Sequence, residues 1–306
     1  MAPETLTTVL VIAVQLMAPL AWAVYGEIIA ERAGVLNVGL EGAVLLGAWG
    51  TAVGYSQSGN LGVGILVGLG VGLATGALLA FLYVWRGVDQ IVGGIILNLL
   101  AAGFTTAMWV EFQGDQMVAN APRIEIPLLS AIPIVGPAFF DQNVLVLGAL
   151  VAGPLLILAL QRTRWGVRTR IAGESPEALD AAGISVRTVR SVGIIVGTAV
   201  GSVGGITLIL TSSSGAFVPN MSAGLGFIAL AVVILARWNP LIGLAAALVF
   251  GILRALQYQV QALPFLADIP IQVILALPYV ASIVVVAFNR AARYPTATGI
   301  PWEPRA

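Results

Sequence analysis

The chain has 306 residues, of which 59% are hydrophobic and 9% charged, and its mean hydropathy is +0.99. A soluble domain carries about 25% charged residues, so this chain lacks the polar groups needed to cover a water-facing surface. Its formal net charge is zero, and it contains neither cysteine nor histidine, which excludes disulfides, thiolate or histidine metal sites and a histidine proton relay. The composition predicts an all-α integral membrane protein, because helices satisfy their own backbone groups in lipid.

Apolar stretches recur along the whole chain, and most approach the roughly 20 residues that cross about 30 Å of hydrocarbon. They lie at about 5–25, 36–55, 61–84, 91–110, 143–160, 191–210, 224–238, 241–260 and 271–288. The stretches 36–55 and 224–238 are glycine-rich or short, so we predict that they are broken or re-entrant. The pattern predicts a polytopic helical bundle of about nine spans, forming a single transmembrane domain over residues 1–306.

The stretch ERAGVLNVGLEG, residues 31–42, places polar side chains where the second apolar run begins. Asn37 and Glu41 are four residues apart, a spacing that puts both on one face of a helix. Intramembrane ionisable residues usually face a bundle interior or an aqueous cavity, and broken helices often build a solute site at that depth. Two interpretations stay open: direct contact with a solute, or hydrogen bonds that fix the bundle. Glu27 and Glu31 are predicted to lie at the membrane interface instead.

The loop at residues 161–190 holds six of the 14 arginines, and the chain has no lysine. Positive residues concentrate in cytoplasmic loops, so this loop is predicted to face the cytoplasm. Alternation of the spans outward from it places the C-terminus on the same side.

Within this loop, the segment GESPEALDAAGI, residues 173–184, predicts a short surface helix. Ser175 is a candidate N-cap, Pro176 suits the first helical position, and Glu177 stands in the first turn, where the helix dipole favours an anion. Gly183 is a candidate C-terminal stop. The helix is either an ordinary surface connection or a docking element that fits a groove on a soluble partner.

Four blocks of the sequence together carry a family resemblance. They are GEIIAERAGVLNVGLEGAVLLGA (26–48), DQIVGGIILNLLAAG (89–103), TRWGVRTRIAGESPEALDAAGI (163–184) and GLGFIALAVVILARWNPLIG (224–243). In content and order they resemble the permease subunits of bacterial ABC importers of the branched-chain amino acid, simple-sugar and nucleoside group. The first and last blocks look most like the nucleoside branch. The sequence Ala236-Arg237-Trp238 departs from the smaller, less basic stretch that relatives often show.

The resemblance implies a transmembrane subunit that moves a nucleoside-like solute into the cytoplasm across the bacterial plasma (inner) membrane. The implied partners are a second permease, expected to be a homologue in a heterodimer, a cytoplasmic ABC ATPase, an extracytoplasmic substrate-binding lipoprotein and membrane lipid, with no nucleic acid. The chain lacks a Walker A motif and any lysine, so ATP and Mg²⁺ are expected on the ATPase, with no cofactor, metal or catalytic residue on this chain.

The resemblance also assigns a coupling segment, and it implies a solute pathway between the two permease subunits. Glu177-Ala178 followed by Gly183 is similar to the Glu-Ala-Ala-x-x-x-Gly signature of such permeases, with Leu179 in place of the second Ala. The coupling residues expected to contact the ATPase are Gly173, Glu174, Ser175, Pro176, Glu177, Ala178 and Gly183.

Three further residues are candidates for the solute path. Asn98 lies in the fourth apolar run and is either a solute contact or a hydrogen bond between helices. Phe217 and Asn220 lie in TSSSGAFVPNMSAG, where they could stack on a nucleobase and hydrogen-bond to it, unless this run is an external loop. Arg254, in the eighth run, is adequately explained by snorkelling to the interface.

Several alternative functions are open. The solute could be a simple sugar or a branched-chain amino acid. From another class, the chain could be a proton-coupled secondary transporter in which Glu41 carries the proton, although the similarity between 26–48 and 211–234 is too faint to indicate a repeat. An intramembrane enzyme is disfavoured, because no Ser/His, metal or paired-carboxylate constellation is evident in the sequence.

Overall fold

The computed structural model describes residues 3–112, 118, 121–212, 214–258, 272, 273, 276, 280, 283 and 294–302. Within these residues the chain forms α-helices, one π-helical turn and a two-stranded antiparallel ribbon. The helices are α1 (Pro3–Arg32), α2 (Leu40–Ser58), α3 (Leu61–Ala80), α4 (Gln90–Phe112), α5 (Val135–Phe139), α6 (Val144–Arg162), α7 (Arg164–Glu174), α8 (Pro176–Ala181), α9 (Val186–Thr211), α10 (Leu225–Ala236) and α11 (Pro240–Tyr258). The π-helical turn (Phe81–Trp85) continues α3, and the ribbon pairs β1 (Arg123–Glu125) with β2 (Asp141–Asn143).

Six of the described helices are long and apolar enough to cross a membrane. They are Glu4–Arg32, Leu61–Trp85, Gln90–Trp109, Val144–Arg162, Val186–Thr211 and Pro240–Gln257. The structure therefore confirms a polytopic helical membrane protein but not the predicted nine spans. The last predicted span, 271–288, lies largely outside the described residues.

The two stretches predicted to be broken or re-entrant differ from the six spanning helices. The helix α10 has 12 residues and is about 18 Å long, too short to cross about 30 Å of hydrocarbon. The helix α2 has 19 residues but is less apolar, and its buried residues pack against α3 and α9. Because protein surrounds much of α2, it does not need the uniform apolarity of a lipid-facing helix.

The centre of the bundle is built on α1 and α9, which pack closely along their lengths. A Cβ atom at Gly26 of α1 would collide with the backbone of Gly197 and Gly201 of α9. Small residues at such crossings let helix backbones approach, and close packing supplies much of the attraction between helices in lipid. The glycines therefore place α1 against α9, and α2, α3 and α11 pack around this pair.

The bundle has two distinguishable ends, joined by α6. The ribbon precedes α6 and α7 follows it, so the 19 residues of α6 separate them by about 28 Å. We call these the ribbon end and the α8 end. Residues 294–302 also lie at the α8 end, where the Ala297 N–H donates to the Gly173 carbonyl at 2.8 Å.

Candidate functional site

The predicted polar residue Asn37 lies outside any helix, in a turn that separates α1 from α2. Residues 33–39 are not helical, and Gly34 has a φ of +85°, a left-handed conformation that favours glycine. The turn folds back along α1, since the Asn37 backbone N–H donates to Glu27 Oε1 at 3.0 Å. The Asn37 amide group donates to Thr198 Oγ1 of α9 at 3.2 Å. The expectation that Asn37 and Glu41 share a helical face is therefore wrong, because the helix begins only at Leu40.

The carboxylate of Glu41 binds the N-terminal end of α10. Its Oε1 accepts hydrogen bonds from Ser222 Oγ at 2.6 Å and the Gly224 N–H at 2.8 Å, and its Oε2 accepts one from the Gly226 N–H at 2.6 Å. The first N–H groups of a helix have no partner within the helix and carry a partial positive charge. Glu41 supplies both an acceptor and a negative charge to α10, although it lies in the first turn of a different helix.

Asn98 of α4 binds the backbone on both sides of the beginning of α2. Its Oδ1 accepts from the Gly42 N–H at 2.8 Å, and its Nδ2 donates to the Val38 carbonyl at 2.9 Å. Both backbone groups belong to the region where the helical ladder starts, so they need partners from elsewhere. Asn98 therefore connects α4 to the turn between α1 and α2.

Glu41 and Asn98 thus share a function in the fold, which is to satisfy backbone groups at helix ends inside the bundle, whereas the Asn37 side chain bonds the Thr198 hydroxyl. Asn37 is fully buried and Glu41 is 8% exposed, and the polar side-chain atoms of all three are bonded to protein except Asn37 Oδ1, which has no partner among the described residues. Of the two interpretations left open by the sequence, these contacts support the hydrogen-bonding one. Their place in a solute path stays a prediction.

Phe217 and Asn220 lie in the segment between α9 and α10, and they differ in their exposure. Phe217 is 2% exposed and packs in an apolar cluster with Leu45 and Ile206, so its ring presents no free face to a solute. Asn220 is exposed and has a φ of +59° in the turn that precedes α10. Only Asn220 is placed where an amide group can reach a solute, and a solute contact for either residue stays a prediction.

Glu27 and Glu31 face other segments of the protein, and their expected depth at the membrane interface stays a prediction. Both side chains are buried, at 0% and 1% exposure, because α1 continues to Arg32 and other segments cover its end. Trp238 Nε1 donates to Glu31 Oε2 and so ties the end of α10 to α1. Burial, and then the nearby Glu31 carboxylate, raise the pKa of Tyr294, whose ring packs against Trp238. The two carboxyls recur one helical turn apart, and this spacing is the sequence signal that could have indicated a shared buried face.

The predicted surface helix, α8, begins at Pro176, the position predicted for its first residue. Gly173 and Glu174 end α7, and Ser175 separates α7 from α8. Ser175 is the N-cap by position, but its side chain makes no capping hydrogen bond. Pro176 occupies the first turn as predicted.

Gly183 ends α8 in the predicted way. It has a φ of +72°, its N–H donates to the Asp180 carbonyl at 2.8 Å, and the Ile184 N–H donates to the Leu179 carbonyl at 3.2 Å. This pair of bonds is a Schellman motif, which needs a left-handed residue where glycine stands. Pro176 and Leu179 are buried, while Glu177, Ala178 and Gly183 are exposed. The exposed face of α8 is thus available to a partner.

Residues 294–302 form a C-terminal strap across the α8 end. Thr298 Oγ1 donates to the Glu31 carbonyl at 3.2 Å, and Thr296 Oγ1 donates to the Glu174 carbonyl. Gly173 is buried, and a Cβ atom there would collide with the Arg32 carbonyl. Of the predicted coupling residues, Gly173 therefore contacts the turn after α1 and the strap within the chain.

Arg190 of α9 joins the strap to α7. Its guanidinium donates to the carbonyls of Ile300 at 2.6 Å, Ala297 at 3.2 Å and Ala172 at 3.4 Å. The strap was not predicted from the sequence, because its partners are backbone carbonyls that carry no sequence signature.

These features define a multi-pass helical membrane protein with helix ends buried inside its bundle and a short exposed helix at one end. Residues 9–287 match the family described as the permease component of the branched-chain amino acid transport system. The chain belongs to this family, which confirms the resemblance predicted from the four sequence blocks.

Three relatives are similar over most of the chain. TsgC13 of Haloferax volcanii, provisionally named a glucose ABC transporter permease protein, is 36% identical over 83% of this chain and 78% of its own length. The nucleoside ABC transporter permease protein NupC of Lactococcus lactis is 34% identical over 92% of each chain. The guanosine ABC transporter permease protein NupQ of Bacillus subtilis is 32% identical over 93% of each chain. No solved structure is a significant match.

Proposed function

We propose that this chain is the transmembrane subunit of an ATP-driven importer that moves a nucleoside-like solute into the cytoplasm. The observation that carries the solute class is the match to two relatives named for nucleoside and guanosine transport, which extends over 92% and 93% of the chain. A simple sugar is the second candidate, because TsgC13 is named for glucose and is 36% identical. The secondary-transporter alternative is not favoured, since the relatives are named as ABC permeases.

The proposed partners are a cytoplasmic ABC ATPase, an extracytoplasmic substrate-binding lipoprotein and a second permease. The pair of Lactococcus lactis relatives, NupC and NupB, at 34% and 23% identity, supports a homologous second permease in a heterodimer. The ATPase would bind at the α8 end, which therefore faces the cytoplasm of a plasma membrane together with the C-terminal strap. ATP and Mg²⁺ belong to the ATPase in this arrangement.

Coupling to the ATPase is proposed to act through the exposed face of α8. Glu177, Ala178 and Gly183 are exposed there, and Pro176 and Leu179 anchor the helix to the protein beneath. The helix α8 is six residues long, follows α7 directly at Ser175 and ends at Gly183. A force that the ATPase exerts on the exposed face of α8 would therefore be transmitted directly to α7. The strap connects α7 to the end of α1 and thus to the turn that holds Asn37.

Reconstitution of the complete complex tests this function. Proteoliposomes containing both permeases, the ATPase and the binding protein should accumulate labelled nucleosides when ATP is present on the ATPase side. Glucose and leucine uptake should stay at the background level. Uptake of glucose alone would replace the solute class with a sugar, and uptake by this chain alone, driven by a pH gradient without ATP, would reject the importer mechanism.

A further inference from the structure

A cleft opens at the ribbon end of the bundle, far from α8. Its volume is about 400 Å³, within the range of small-molecule sites. Arg254 lies 14 residues along α11 from Pro240, at the α8 end, so the cleft is about 20 Å from that end. The lining residues come from α1, α9, the segment before α10, and α11: Ile12, Gln15, Leu16, Leu208, Thr211, Ser212, Val218, Met221 and Arg254.

Arg254 is the charged group among the described residues that line this cleft. It lies within Pro240–Gln257, a helix apolar enough to span a membrane, and a charge at such a position is costly unless it faces water or a partner. Among the residues that the structure describes, no hydrogen-bond acceptor or acidic partner is assigned to its guanidinium. Snorkelling explains why an arginine can lie near a helix end, because its long side chain brings the charge to the membrane interface. It does not explain why the planar guanidinium of Arg254 lines a cleft.

The opposite wall offers acceptors with fixed orientations. Gln142 is fully buried, and its amide group donates to the Ala138 carbonyl at 2.9 Å, so its Oε1 is the atom that faces Gln15. The Gln15 amide group donates to this Oε1 at 3.2 Å, which leaves the Gln15 carbonyl oxygen free to accept. The Thr211 hydroxyl donates to the Thr207 carbonyl at 2.8 Å, so its oxygen is likewise an acceptor.

The floor of the cleft is apolar and anchored. Val218 and Met221 line it, and Met221 precedes Ser222, whose hydroxyl donates to the Glu41 carboxylate. Glu41 therefore fixes the segment on which a bound solute would rest. The cleft combines a flat donor on α11, acceptors on α1 and α9, and an apolar surface between them.

We infer that this cleft binds a nucleoside whose base carries a carbonyl beside a second acceptor, as guanosine and inosine do. The inference rests on the proposed function and deepens it. The Arg254 fork matches the adjacent O6 and N7 acceptors of a 6-oxopurine, the apolar floor packs against the base, and the ribose hydroxyls donate to Gln15 and Thr211. Adenosine presents an amino donor where guanosine has its carbonyl, so it meets Arg254 with the wrong polarity.

Initial uptake rates of guanosine, inosine and adenosine by the reconstituted complex test the inference. The wild-type complex should prefer guanosine and inosine to adenosine by about tenfold or more, and Arg254→Gln should remove most of this preference by slowing guanosine uptake. Arg254→Lys keeps the charge without the fork and should give an intermediate preference. Arg123→Gln is the matched control, because it removes an exposed arginine at the same end and should leave the preference unchanged.

The outcomes separate the site from the function. Absence of nucleoside uptake by the wild-type complex rejects both the proposed function and this site. Nucleoside uptake with no preference among the three, or a preference that survives in Arg254→Gln, rejects the site alone. Equal loss of guanosine and adenosine uptake in both Arg254 variants also rejects it, since that pattern indicates damage to the fold. Co-purification with the ATPase and the thermal unfolding midpoint identify such damage independently.

Discussion

Glu41 joins the beginning of α2 to the beginning of α10, two helices that are far apart in the sequence. Three donors converge on its carboxylate, two of them backbone N–H groups at the beginning of α10. Hydrogen bonds to a charged acceptor are each worth about 1.5–3 kcal/mol, and a buried donor left without a partner costs a similar amount. Glu41 is therefore expected to matter for the stability of the bundle before it matters for transport.

Substitution Glu41→Gln should lower the free energy of unfolding by about 2 kcal/mol, because the new amide group faces an N–H donor that it cannot satisfy. Thermal unfolding of the purified protein in detergent should show a lower midpoint. Glu125→Gln, at an exposed position of the ribbon, is the control and should leave the midpoint unchanged. Equal midpoints for both variants would show that the cap does not hold α10.

At the residue scale, the sequence indicates which side chains matter better than it indicates their partners. Polar groups such as Asn37, Glu41 and Asn98 stand out because their surroundings are apolar. Their partners lie far away along the chain, since Asn98 binds a backbone group 56 residues earlier and Glu41 binds one 185 residues later. Local spacing cannot predict such contacts, and it suggested a shared helical face that the structure lacks.

At the scale of single elements, α8 is the segment best suited to contact a partner without disturbing the fold. Its exposed residues lie outside the apolar cluster beneath, in which Leu179 is 2% exposed and packs with Ala172 and Val186. The helix was predictable because its proline and terminal glycine have local meaning. The helix α7 that precedes it was not predicted, because α7 packs against the strap and the turn after α1, which lie far away along the chain.

Substitution Glu177→Arg should abolish co-purification with the ATPase and reduce transport-linked ATP hydrolysis about tenfold or more, because a rim charge of the wrong sign opposes docking. The unfolding midpoint should fall by only a few degrees, because Glu177 is exposed and its attraction to Arg190 is screened by solvent. Leu179→Ala is the contrasting variant and should lower the midpoint through loss of buried contacts. Retention of the ATPase by Glu177→Arg would mean that docking uses another surface.

At the scale of the whole molecule, the C-terminal strap adds hydrogen bonds between segments that already pack against one another. It contacts the end of α1, the turn at Gly34, the end of α7 and Arg190 of α9. A displacement of α8 can therefore reach the buried turn at residues 33–39 through backbone hydrogen bonds. The strap therefore links the α8 end to the turn at residues 33–39 by hydrogen bonds.

Substitution Arg190→Leu should destabilise the protein by about 2 kcal/mol, because three carbonyl groups lose a charged donor. The backbone amides of Ala297 and Gly299 should exchange hydrogen faster. Arg187→Leu, three residues earlier on the same helix, is the control, since its guanidinium only lies over the Trp85 ring at 5.8 Å and should cost less than about 1 kcal/mol. Unchanged exchange in Arg190→Leu would show that the strap is held by other contacts.

The cap on α10 also constrains the order of assembly during synthesis. Gly226, whose N–H donates to Glu41, lies 185 positions after Glu41 in the chain. At a synthesis rate of about 5–20 residues per second, Gly226 is therefore made on the order of 10–40 s after Glu41. The hydrogen bonds that join α2 to α10 therefore form only after the residues of α10 have been synthesised.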